Sequence, residues 1–94
     1  MYATVRNYAG KNDLVAGMVE HQDSVRSAIS AVPGFQAYYI VSTSDGGATS
    51  ITVCDDQAGA DASNSAAAAW IAENLPGLSI SPPAISAGEV AISF

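Results

Sequence analysis

The stretch Val32–Asp56 reads VPGFQAYYIVSTSDGGATSITVCDD, and its reading decides the fold. Pro33-Gly34 stops whatever precedes it. Phe35 to Thr43 is rich in aromatic and β-branched residues, and so is Thr49 to Val53. Such runs favour the pleated, half-buried geometry of a strand. Between them lies Ser44-Asp45-Gly46-Gly47, and Asp-Gly supplies the positive φ that a tight hairpin turn needs. Two antiparallel strands follow. On simple alternation, Phe35, Tyr39 and Val41 point one way and Tyr38 and Ile40 the other. Both faces are apolar, so this strand is expected to be covered on both sides.

Working outward toward the N-terminus, a helix precedes the hairpin. Leu14, Met18, Val25, Ile29 and Val32 recur at helical spacing, with Gln22 interrupting the stripe and His21 at its edge. Asn12 or Asp13 can cap it, and it ends before Pro33. Before that, Tyr2 to Tyr8 alternates as a first strand, with Ala3 and Val5 on one face and Tyr2, Thr4, Arg6 and Tyr8 on the other.

Toward the C-terminus, Asp55 or Asp56 caps a second helix that stops at Leu75-Pro76-Gly77. Ala66 to Ala69 favour helix and permit close approach to a sheet, while Trp70, Ile71 and Leu75 supply bulk. A Pro- and Ser-containing connection leads to a last strand expected over Gly88 to Phe94. The order β-α-β-β-α-β, with right-handed crossovers, places both helices on one face of a four-stranded antiparallel sheet. This is a ferredoxin-like α+β fold in one domain spanning residues 1–94. The helices cover one sheet face only, and the other still carries large side chains. A second copy of the chain, packed sheet to sheet, is the expected cover.

Composition narrows the function classes. The chain has 94 residues, is 49% hydrophobic and carries a net charge of −6. Its cations are Arg6, Lys11 and Arg26, too few and too dispersed for a run of phosphates or a polybasic membrane patch. Cys54 is alone, which excludes an intrachain disulfide or a multi-cysteine metal site. A free thiol in a strand favours a reducing compartment, and no leader or membrane span is read, so a cytoplasmic location is expected. No cofactor motif stands out, and Gly46-Gly47 lacks the lysine of a phosphate loop.

The residues also carry a family resemblance. MYATVR at the start, VPGFQAYY at the second strand, VCDDQAGA at the strand-to-helix turn and AGEVAI near the end resemble the dimeric α+β barrel superfamily. That group includes antibiotic-biosynthesis-monooxygenase-like domains, and the chain is most similar to its small bacterial members. The resemblance implies a homodimer with a pocket in each subunit between sheet and helices. It also implies two lines of chemistry, cofactor-independent oxygenation of aromatic polyketides and haem degradation, beside members without a catalytic role. The haem degraders use an Asn on the first strand, a Trp on the second helix and a His after it. Asn7 matches the first, but the Trp position falls near Ser63 rather than Trp70, and no histidine follows.

Candidate site residues are therefore weighed singly. His21, the only imidazole, could act as a general base, or it could be a surface residue. Arg6 could neutralise an anionic substrate or a developing oxyanion, or pair with Glu89 on a neighbouring strand. Asn7 and Tyr38 could contact a substrate, and Trp70 could stack on one or simply seal its helix against the sheet. Asn64 reads as a capping or surface residue, and Cys54 as a structural thiol. Two functions stand side by side. One is a cofactor-independent monooxygenase-like enzyme acting on a small aromatic or quinol substrate. The other is a non-catalytic small-molecule-binding or structural homodimer. Pocket size separates them, since ligand sites usually start at about 300 Å³.

Overall fold

A computed structural model describes residues 1–94. In chain order the elements are β1 (Tyr2–Tyr8), α1 (Leu14–Glu20), α2 (Gln22–Ser30), β2 (Phe35–Ser42), β3 (Ala48–Cys54), α3 (Gln57–Asn74) and β4 (Ala84–Glu89). The strands form one antiparallel sheet in the order β2-β3-β1-β4. This is the ferredoxin-like α+β arrangement expected from the sequence.

The hairpin between β2 and β3 forms as its turn chemistry requires. Gly46 adopts φ +85°, and Gly46 N–H donates to the Thr43 carbonyl. The Asp45 carboxylate accepts from the Gly47 N–H and from the Thr43 hydroxyl. Asp56 caps α3, its side chain accepting from the Gly59 N–H. At Gly59 an added Cβ would stand 2.1 Å from the Pro33 carbonyl oxygen, so only glycine lets α3 enter this close to the end of the helical segment before β2.

Four expectations are corrected. The first helix breaks at His21 into α1 and α2, whose backbone there (ψ 34°) leaves the helical range. Gly17 one turn earlier weakens the helix, and the polar run Glu20–Asp23 gives the break no apolar anchor. The stripe itself survives the break, because Leu14, Met18, Val25, Ile29 and Val32 are all buried. Second, Phe35 does not share a face with Tyr39 and Val41. A β-bulge at Gln36 shifts the register, and the Gln36 amide donates outward to Asp55. Phe35 thereby joins Tyr38 and Ile40 on the helix side.

Third, the last strand is Ala84–Glu89 rather than Gly88–Phe94. It pairs along β1 from Asn7↔Ala84 to Tyr2↔Glu89, and the Met1 carbonyl then takes the Val90 N–H. Ile92 and Phe94 are exposed. Fourth, Arg6 does not pair with Glu89. In the ladder Glu89 lies opposite Tyr2, while Arg6 lies opposite Ile85 and Ser50.

The apolar core gathers Tyr8, Leu14, Met18, Val25, Ile29 and Trp70 between the helices and the sheet. Toward β1 and β3 the same layer changes character. Thr4, Arg6, Ser50, Thr52 and Ser63 are all fully buried there, and none of their buried polar atoms lacks a hydrogen-bond partner.

Candidate functional site

The buried polar layer is built by strand alternation. Thr4, Arg6 and Tyr8 of β1 face the helices, and so do Ser50, Thr52 and Cys54 of β3. Above them α3 presents Ala60, Ser63 and Ala67, a small-residue stripe at helical spacing. Small side chains at these positions leave room for one large one, the Arg6 guanidinium.

Arg6 is 1% exposed. Its Nε donates to Ser50 Oγ at 2.8 Å, and Nη2 donates to Thr52 Oγ1. Its Nη1 donates to Asn64 Oδ1 at 2.8 Å and to Ser63 Oγ at 3.2 Å. Thr4 Oγ1 donates to the same Asn64 oxygen at 3.0 Å, and Ser63 Oγ donates to the Ala60 carbonyl at 2.7 Å. Every one of these acceptors is neutral. A buried cation normally requires a counter-ion as well as hydrogen bonds, because desolvation costs several kcal/mol per ion, order of magnitude about 3–5. Burial pulls the Arg6 pKa below its usual value, and the nearby Tyr8, Tyr38 and Cys54 oppose that only in part.

The two phenols respond to the same environment. Burial raises the pKa of Tyr8, with the Arg6 charge pulling the other way. Burial also raises that of Tyr38, opposed by Arg6 and by the Ser50 hydroxyl. Both therefore remain protonated donors at neutral pH. Cys54 is buried, and burial with Asp55 and Asp56 raises its thiol pKa, which makes it an unreactive packing residue.

Two hollows open on the helix side of the sheet. The smaller, about 290 Å³, is bounded by Arg6, Tyr8 and Asn64, with Ile71, Ile80 and Pro82 among its apolar walls. The larger, about 530 Å³, lies between the α1–α2 segment and β2, with Tyr38 in its wall. Ligand sites usually start at about 300 Å³, so the larger hollow is of ligand size and the smaller sits at the threshold. No group of three or more His, Cys, Asp or Glu side chains is placed to hold a metal ion.

Of the residues proposed from sequence, the structure brings Arg6 and Tyr38 into one electrostatic neighbourhood. It separates the others. His21 sits exposed at the α1–α2 break, edge-on to Trp70 with ring centroids 6.1 Å apart, and borders neither hollow. His21 thus stands apart from the hollow bounded by Arg6. Trp70 is buried in the core, its indole N–H donating to Ser24 Oγ at 2.9 Å, so it seals α3 against α2. Asn7 is exposed and, one residue from Arg6 along β1, faces the other side of the sheet. Asn64, read as a cap or surface residue, instead bridges Arg6 and Thr4. Ser50, Thr52 and Ser63 were not singled out. Their signal was polar residues at the inward positions of β3 and on the small stripe of α3.

No protein-family model matches the chain. No curated protein matches it. Solved structures do. A protein of unknown function from Nitrosomonas europaea aligns over 99% of this chain and 90% of its own, with TM-score 0.68 and 23% identity. A protein from Shewanella loihica described as a candidate monooxygenase aligns over 98% of this chain and 96% of its own, with TM-score 0.52 and 18% identity. At these identities the likeness is one of fold.

Proposed function

We propose that the chain works as a dimeric α+β barrel protein of the antibiotic-biosynthesis-monooxygenase-like type, a single domain that holds a small phenolic or quinol compound against Arg6. The observation that carries this reading is a fully buried guanidinium with only neutral partners at the edge of a hollow. A phenolate entering there supplies the missing negative charge. Arg6 stabilises it, and protonated Tyr8 can donate a hydrogen bond to it. The fold shared with a candidate monooxygenase is consistent with this reading.

In cofactor-independent oxygenation the bound phenolate itself reduces oxygen. One electron passes from substrate to O₂, the radical pair joins as a C–O bond, and loss of water from the peroxide leaves a quinone. With 1-naphthol as probe, naphthol plus O₂ gives 1,4-naphthoquinone plus water, one oxygen atom going to each product. The protein's part is to position and to stabilise the anion, and the phenol proton leaves to solvent. Oxygen uptake with 1-naphthol is expected to match quinone formation one to one. It should fall by more than about tenfold in Arg6→Met, as loss of an anion-stabilising donor costs, and be unchanged in His21→Ala. Uptake equal in wild type and Arg6→Met would refute the assignment of Arg6.

The alternative is a non-catalytic small-molecule-binding or structural homodimer. The observation that favours it is the absence of any carboxylate or imidazole among the groups around Arg6. Saturable naphtholate binding without oxygen uptake is its signature.

A further inference from the structure

The larger hollow and the one at Arg6 have no lining residue in common, although Tyr38 in its wall is close enough to feel the Arg6 charge. Its walls come from α1, α2 and β2 and are mostly apolar, with Met18, Val25, Ile29, Phe35 and Ile40 forming the body. The β-bulge at Gln36 helps to make it, by turning Phe35 inward. Val19 lines it while remaining 59% exposed, which places that residue at the mouth.

Charge on the wall is not balanced. Arg26 is the sole charged residue lining the hollow, in a chain with three basic residues and nine acidic ones. Glu20 and Asp23 stand on the same helices but do not line it. Arg26 is exposed, so its guanidinium is hydrated and open to an ion at the rim. Deeper in, the Tyr38 hydroxyl lies 3.5 Å from Met18 Sδ, a weak acceptor. A volume of about 530 Å³ with an apolar body and one cation at its edge complements a molecule that is itself apolar with one anionic end.

We propose that this hollow binds an amphipathic monocarboxylate, its hydrocarbon chain against Met18, Val25, Ile29 and Ile40 and its carboxylate at Arg26. The site is independent of the Arg6 chemistry, so either assignment can fail without the other. A linear chain fits the site's chemistry because nothing along the apolar wall offers a second charge.

Decanoate, below its aggregation concentration, is the probe, with 1-decanol as the neutral control. Calorimetry on the full chain is expected to show one decanoate per chain. Arg26→Gln should weaken decanoate about three- to tenfold, the range for one exposed ion pair with charge-assisted hydrogen bonds, and leave 1-decanol unchanged. Methyl shifts in NMR should map to Met18, Ile29 and Ile40, and Arg6→Met should leave decanoate binding intact. Equal affinity for decanoate and 1-decanol, or no effect of Arg26→Gln, would overturn the carboxylate assignment. Absence of saturable binding in wild type would overturn the site itself. Arg26→Gln, which reads the anion end, lies at an exposed position, so loss of fold does not confuse the outcome.

Discussion

At the centre of β1 and β3 the two faces of the sheet are inverted relative to the usual expectation. On the helix side of β1 and β3, the polar Thr4, Arg6, Ser50 and Thr52 are buried, flanked by Tyr8, Ala48 and Cys54. On the open side the same strands carry Val5, Ile51 and Val53, and β2 adds Tyr39 and Val41, which are 57% and 45% exposed. There the polar groups are inside and the apolar groups outside. A sheet normally buries its apolar face against its helices. The inversion makes sense if the open face is a core shared with another molecule and the inner face is reserved for binding. An apolar patch of this kind is uncommon on a monomer. If it is covered by a second copy, a two-fold axis is the simplest arrangement.

The strongest way to break this comparison is a charge at the centre of the open face. Ile51 lies beside Val5 in the β1–β3 ladder and opposite Tyr39 in the β2–β3 ladder. If that face is an interface, Ile51→Lys should cost about 2–4 kcal/mol of association, the scale of an interface hot spot. Sedimentation should then show the 9.5 kDa chain mass in place of twice that value. If the face is merely solvated, stability and mass should both stay as in wild type, with changes within about 0.5 kcal/mol.

A smaller effect sharpens the inner side. Tyr8 and Tyr38 have raised phenol pKa values because they are buried. Above about pH 10 the unfolded chain releases these protons and the folded chain keeps them. Folding stability is therefore complete below that pH and falls as pH rises toward the folded pKa values. The slope is up to about 1.4 kcal/mol per pH unit for each phenol. Chemical denaturation between pH 9 and 11, taken here as roughly one unit either side of the usual phenol value, should show the decline. Tyr38→Phe should make it shallower.

How much of this was legible in the sequence follows from the kind of signal each feature leaves. The hairpin is local chemistry, since Asp45-Gly46 demands its turn whatever surrounds it. The strand alternation of β1 placed Arg6 with Thr4 and Tyr8, and the fold kept it there. The bulge at Gln36 accompanies a contact with Asp55, nineteen positions away, and no alternation rule contains either. The end of β4 depends on where β1 begins, a pairing fact rather than a propensity. At the site, Arg6 and Tyr38 were recognisable by residue type. Asn64 and Ser63 were not, because a polar residue on an alanine-rich helix reads as surface until the opposing strand supplies an inward cation. His21 misled for the converse reason, since its side chain is reactive in type but stands at a helix break.

The central claim is that Arg6 is buried to meet a ligand rather than to brace the fold. Urea unfolding of Arg6→Met beside wild type tests it most directly. Methionine fills similar volume and removes the cost of burying a charge without a counter-ion. Ser63 and Thr4 keep their contacts with the Ala60 carbonyl and Asn64, while the buried Ser50 and Thr52 hydroxyls lose Arg6 as partner. The expected result is a stability within about 2 kcal/mol of wild type, or above it. A loss of about 3–5 kcal/mol, the scale seen when a buried ion network is broken, would make the guanidinium a structural keystone and contradict the account.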